Sequence, residues 1–183
     1  MHFLQNIIDF FVSDVSCPNV VGLTALQDIT FLGEIVDKLL DLRMYYDTYK
    51  PILLKVSPDL AHQQLDEIID YCLRSGIDGI VAGNTTRSRE GITSISKEKI
   101  EAIGNGGMSG APLHKKNLEL VKYVHTRSEG KLPIIGVGGI MTPEQAKAML
   151  DAGASLVEIY TGFVYEGPAL IKNIIKYLET AGK

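Results

Sequence analysis

The segment Ser16-Cys17-Pro18-Asn19 sets a thiol between a hydroxyl and a rigid proline, directly after the apolar run Ile7-Ile8-Asp9-Phe10-Phe11-Val12. A thiol ionises near pH ~8.5, far below a hydroxyl, so it can serve as a base in near-neutral water. A lone cysteine is more often a small buried hydrophobe. That bland reading suits Cys72, which falls on the apolar stripe of a helix. For Cys17 the loop position, Pro18 and Asn19 weigh toward chemistry, and spacing alone leaves both readings open. Lys55 interrupts Ile52-Leu53-Leu54-Lys55-Val56. A lysine inside a strand buried on both faces is costly without a partner for its charge. A cation aimed at an anionic ligand accounts for it better than a side chain snorkelling to water. Asn84-Thr85-Thr86 offers an amide and two hydroxyls, although such residues also cap elements. In Gly106-Gly107-Met108-Ser109-Gly110 and in Gly138-Gly139, backbone N–H groups can face a phosphate.

These residues need elements to hold them, and the chain alternates apolar runs with amphipathic ones. Strands are predicted at 7–12, 52–56, 79–82, 134–137 and 156–160, each followed by a helical pattern. Leu32, Ile35, Val36, Leu39 and Leu40 share one helical face, as do Leu65, Ile68, Ile69, Cys72 and Leu73. Gly76 is placed to end the second helix. A long Gly-rich connection precedes the helix through Leu118, Val121 and Val124. Thr142-Pro143-Glu144-Gln145 opens the next one with Thr at N-cap, Pro at N1 and Gln at N3. Leu170, Ile171, Ile174, Ile175 and Leu178 mark the last helix.

Five βα units with apolar rather than alternating strands predict a parallel α/β sheet covered by helices. The polar residues cluster just after the strands. In a (β/α)₈ barrel of the TIM type those loops meet at one face, so the barrel is favoured over a doubly wound sheet, with only about five of the eight units present. No linker or repeat divides the chain, and residues 1–183 read as a single domain.

Bulk properties narrow the function. The chain has 183 residues, 45% hydrophobic and 22% charged, with a formal net charge of -4, which argues against nucleic acid as a partner. Two cysteines make neither a disulfide framework nor a metal pattern. No secretory signal or membrane-length apolar stretch is evident, so a cytoplasmic location is the default expectation.

Six strings, in register along the chain, carry a resemblance: Val15-Ser16-Cys17-Pro18-Asn19, Leu54-Lys55-Val56-Ser57-Pro58-Asp59, Gly83-Asn84-Thr85-Thr86, Gly107-Met108-Ser109-Gly110, Pro133 through Ile140, and Ile159-Tyr160-Thr161-Gly162-Phe163. Together they resemble dihydroorotate dehydrogenase, in the C-terminal portion of its barrel. Gly22-Leu23, Leu26-Gln27 and Tyr165-Glu166-Gly167-Pro168 look more like the quinone-linked class 2 enzymes. The resemblance implies an FMN-containing barrel that oxidises dihydroorotate to orotate in pyrimidine synthesis. It implies Cys17 as the base that removes the C5 proton while hydride leaves C6 for the flavin. Asn19, Asn84 and Thr85 match substrate-binding positions. Lys55 matches the lysine beside the flavin ring, while Gly110, Gly139, Tyr160 and Thr161, with Gly83 more weakly, match FMN-binding positions. A full-length parent is expected to pass electrons to quinone, as a peripheral protein of the inner membrane. Other FMN barrels, such as dihydrouridine synthases or IMP dehydrogenase relatives, share the Gly-Gly loop but not Ser16-Cys17-Pro18-Asn19 with Asn84-Thr85-Thr86.

Departures from that pattern matter as well. Class 2 enzymes usually carry serine where Cys17 stands. Asp14 occupies a position where the family has an asparagine touching flavin and substrate. A carboxylate there should weaken binding and slow flavin reduction, unless Asp14 is protonated or turns away. Glu158 stands where glutamine is common, and the sequence gives no account of it. The resemblance starts just before the family's fourth strand, so the first three units and the N-terminal helical module are not in this stretch. An unclosed barrel is expected to self-associate and to bind FMN poorly by itself. A chain that only folds or oligomerises is the non-enzymatic alternative.

Overall fold

Short runs of Ile, Leu and Val pair into one parallel sheet, in which each strand lies beside the next in sequence. In the computed structural model, which describes residues 7–14, 29–45, 48–90, 92 and 95–181, the strands are β1 (Phe11–Asp14), β2 (Ile52–Val56), β3 (Gly79–Ala82), β4 (Ile134–Val137) and β5 (Leu156–Glu158). Their order is β1-β2-β3-β4-β5, with every pairing parallel. A doubly wound sheet reverses its strand order at a switch point. This sheet never does, so it is a five-stranded arc of barrel type, as the sequence predicts.

The two faces of the sheet are unlike. Ile52, Leu54, Val56, Ile80, Ala82 and Ile134 point outward, into one core shared with the helices. The alternate residues Leu53, Val81 and Ile135, with Val137 packed beside them, form a separate inner cluster. Register carries this inner face outward to both edges, because Val12 pairs with Leu53 and Ile135 with Leu156. Burying each such side chain contributes about 1.5–3 kcal/mol, which makes the outer core the main source of stability.

Helices α1 (Ile29–Met44), α2 (His62–Ser75), α3 (Lys97–Ile103), α4 (His114–Arg127), α5 (Pro143–Asp151), α6 (Thr161–Glu166) and α7 (Pro168–Ala181) connect the strands. Their stops and starts follow local chemistry. Gly76 ends α2 in the left-handed region at φ 82°. At α5, Thr142 Oγ1 accepts from the Gln145 N–H at 3.4 Å, while Gln145 Oε1 accepts from the Thr142 N–H at 3.2 Å.

Three boundaries differ from the sequence prediction. β1 covers Phe11–Asp14 rather than 7–12, and Ile7 is 79% exposed. An apolar run fixes no register; the pairing of Phe11 with Ile52 does, and it draws Ser13 and Asp14 into the strand. β5 ends at Glu158, because Tyr160 already serves as N-cap residue of α6. The Gly-rich connection contains α3, capped by Ser96 Oγ accepting from the Lys99 N–H.

Below the strands, Asp78 ties the N-terminal end of β2 in place. Its carboxylate accepts from Arg43 at 2.6 Å, from the Ile52 N–H at 2.8 Å, and from the Tyr49 hydroxyl.

Candidate functional site

Among the described residues, the elements that could do chemistry end at the same rim. The C-terminal ends of β2 through β5 and their loops enclose a cavity of about 390 Å³. Lys55 comes from β2, Asn84 and Thr85 from the loop after β3, Gly138 and Gly139 from the loop after β4, and Tyr160 and Thr161 from the loop after β5.

Lys55 faces the inner side of the sheet because it alternates with Leu54 and Val56, which point into the outer core. Its Nζ lies 3.5 Å from Asp14 Oδ2, and the two residues are register partners across β1 and β2. The same alternation explains Glu158. It pairs with Val137, on the inner face of β5, and lines the cavity wall.

The loop after β3 is closed at its base by a small antiparallel bridge. Thr86 and Met108 exchange backbone hydrogen bonds of 3.1 and 2.8 Å. The bridge sets Asn84 and Thr85 beside Ser109 and Gly110, and Thr161 Oγ1 donates to Ser109 Oγ at 3.1 Å from the far wall. Asp59 secures the bridge from behind. It accepts from Thr86 Oγ1 at 2.5 Å, from the Arg87 N–H at 2.8 Å, and from Lys116 Nζ. Burial alone would raise the Asp59 pKa, but these donors outweigh it and hold the carboxyl below its ordinary value.

On the opposite wall, glycines let the chain pack closely on itself. Gly139 has φ 75°, and a Cβ there would stand 2.3 Å from the His114 backbone nitrogen. Gly110 has φ 85°, and its Cβ would meet Thr161 Cγ2 at 3.1 Å. Thr85 Oγ1 is buried with no hydrogen-bond partner among the described residues. His114 Nδ1 is likewise unpartnered, and burial lowers the His114 pKa.

Seven of the residues singled out in the sequence thus line one cavity: Lys55, Asn84, Thr85, Gly110, Gly139, Tyr160 and Thr161. Asp14 adjoins it through Lys55. Gly83 stands behind the wall, where a Cβ would lie 2.2 Å from the Val137 carbonyl oxygen. Its value is close packing of strand ends rather than a place on the lining. Cys17 and Asn19 lie outside the described residues. The bland reading of Cys72 holds: it is 2% exposed, and burial pushes its thiol pKa up to about 12. Sequence reasoning missed Asn117, buried on α4 behind the cavity. Its signal was a lone amide in an otherwise apolar stripe.

Known proteins resemble the chain in sequence and in fold. The family profile described as dihydroorotate dehydrogenase matches residues 1–181. A protein of Salinispora arenicola named dihydroorotate dehydrogenase (quinone) is 44% identical over 164 residues, covering 90% of this chain and 46% of its own length. One of the same name from Christiangramia forsetii is 46% identical over 171 residues, covering 93% and 49%. Among solved structures, ligand-free DHODH from Eimeria tenella superposes with a TM-score of 0.86 at 29% identity, covering 93% of this chain and 50% of that one. DHODH from Eimeria tenella in complex with ferulenol gives 0.87 at 28% identity, covering 99% and 54%. The chain spans about half the length of the curated relatives it matches. With a profile match over almost every residue and a rim assembled from the matching loops, the chain belongs to the dihydroorotate dehydrogenase family.

Proposed function

We propose that this chain forms the flavin-facing part of an enzyme that oxidises dihydroorotate to orotate in pyrimidine synthesis, with FMN as hydride acceptor. The observation that carries the reading is the convergence of Lys55, Asn84, Thr85 and the Gly138-Gly139 turn on one cavity from four separate strand ends. Two further features support a flavin phosphate there: the positive-φ Gly138-Gly139 turn on the cavity wall, and a buried Thr85 hydroxyl with no hydrogen-bond partner among the described residues.

FMN, when bound, supplies the acceptor for the hydride that leaves C6 of dihydroorotate. Cys17 takes the C5 proton, and a thiol is suited to that task near neutral pH. Asn19, Asn84 and Thr85 orient the substrate through amide and hydroxyl contacts. Lys55 places a positive charge where negative charge builds on the cofactor side. Gly110, Gly139, Tyr160 and Thr161 hold the cofactor, with Gly83 shaping the strand ends behind it. Quinone is the proposed electron acceptor of the whole enzyme, supported by the names of the relatives. Peripheral contact of the whole enzyme with an inner-membrane quinone is part of the same proposal; no helix among the described residues is long and apolar enough to cross a membrane.

Flavin titration tests the reading. FMN fluorescence is expected to quench on addition of the 183-residue chain, with weak rather than stoichiometric binding. Lys55→Met should lower that affinity about tenfold. No quenching by the wild-type chain would overturn the cofactor assignment. By itself the chain is expected not to turn over, and a stoichiometric yellow preparation bleached by dihydroorotate would refute that expectation.

A further inference from the structure

Asn117 is buried at 0% exposure, one turn into α4. The stripe it belongs to is otherwise apolar, with Leu113, Leu120, Val121 and Val124 all buried. Neither Nδ2 nor Oδ1 of its carboxamide has a hydrogen-bond partner among the described residues. A buried amide left in that state opposes folding, because both groups lose water and gain nothing. An apolar side chain of similar volume would serve the fold better.

The direction of the side chain gives a reason for it. A Cβ built on Gly138 would stand 2.0 Å from Asn117 Nδ2, and one built on Gly83 would stand 3.1 Å from it. Both glycines have positive φ, 105° and 127°. The carboxamide is therefore wedged into the gap these two residues leave, between the ends of β3 and β4. Gly83 leads into Asn84 and Thr85, and Gly138 leads into Gly139, all of them on the cavity wall.

We propose that Asn117 is a positioning residue for the phosphate end of the flavin site, a claim that rests on the FMN reading of that cavity. Among the described residues, its donor and acceptor are uncommitted in this arrangement of the loops. Hydrogen bonds that they make to the loop peptide groups, as those groups turn toward a bound phosphate, add to ligand affinity rather than to folding. A merely structural asparagine would do the reverse.

Asn117→Leu separates the two roles. Melting temperature without ligand and dissociation constants for FMN and for riboflavin, which lacks the phosphate, are measured on wild type and variant. Expected are an equal or higher melting temperature and a preference for FMN over riboflavin reduced about tenfold, with riboflavin affinity unchanged. An unchanged FMN-to-riboflavin ratio overturns the proposal. Should the leucine variant fail to fold, Asn117→Asp keeps the shape and sets a carboxylate behind the loop. It should weaken FMN more than riboflavin, and a wild-type ratio in that variant also overturns the proposal. Wild-type protein that binds neither flavin defeats the cofactor reading itself, whereas wild-type selectivity for FMN with unaltered variants defeats this proposal alone.

Discussion

Asp14 and Lys55 face one another across the inner side of the first two strands, 3.5 Å apart, with the lysine half of the pair on the cavity. Register with Lys55 sets Asp14 on the inner side of the sheet, beside that lysine. A carboxylate so close competes for the charge that Lys55 would lend to a reduced flavin, and it repels an anionic substrate. Asp14→Asn keeps the shape and removes that competition. In an enzyme assembled with its full barrel, the expected result is flavin reduction by dihydroorotate several-fold faster, at about 1 kcal/mol of relieved repulsion for a partly exposed pair. Stopped-flow bleaching of the flavin measures it, and an unchanged rate would sink the idea. At this scale the sequence was most legible where chemistry contradicts burial. Lys55 inside an apolar strand and glycines at tight approaches both announce themselves. Asn117 is quieter: its lone amide in an apolar stripe looks like the polar residue found every few positions on any helix until the packing partner is known.

Among the elements, the loop after β3 depends on a carboxylate outside it. Asp59 accepts from Thr86, the Arg87 N–H and Lys116, joining the β2 loop, the β3 loop and α4 behind Asn84 and Thr85. Asp59→Asn keeps the side chain's size but loses the ion pair with Lys116. It should cost about 1–2 kcal/mol in urea unfolding at neutral pH. The folded carboxyl titrates below its ordinary 3.8, so its contribution is complete above that value and is lost as pH falls through the folded pKa. The gap between wild type and variant should accordingly be constant from pH 5 to 8 and close on further acidification, about as linkage requires. A gap that persists unchanged in acid would assign the loss to packing instead. Periodicity and caps made most elements readable, as at Thr142 and Gly76. What escaped were boundaries set by partners: β1 is placed by pairing with β2, and the short α6 begins where β5 would have continued. The Asp59 cluster joins residues 57 positions apart, a contact that no local pattern encodes.

For the molecule as a whole, the sheet has two ends. Among the described residues β1 pairs only with β2 and β5 only with β4, so each presents a row of backbone donors and acceptors on its outer side. The inner face is apolar up to those edges: Val12 is 38% exposed and Leu156 60%, although both continue the layer formed by Leu53, Val81 and Ile135. Phe163 and Val164 of α6 and Ile171 and Ile175 of α7 are exposed as well. A complete barrel removes sheet edges, and this arc by itself does not. Free edges next to apolar surface are the usual template for pairing with another chain. The 183-residue polypeptide alone is thus expected to sediment above its 20.0 kDa monomer mass, with the larger species growing as concentration rises. Leu156→Lys sets a charge on the inner face of the β5 edge and should shift the distribution toward monomer without lowering the melting temperature, because the residue is largely exposed. Wild-type chain that stays monomeric across the micromolar range would show that the edges are not adhesive. A lysine variant that associates as strongly as wild type would move the contact to the β1 side.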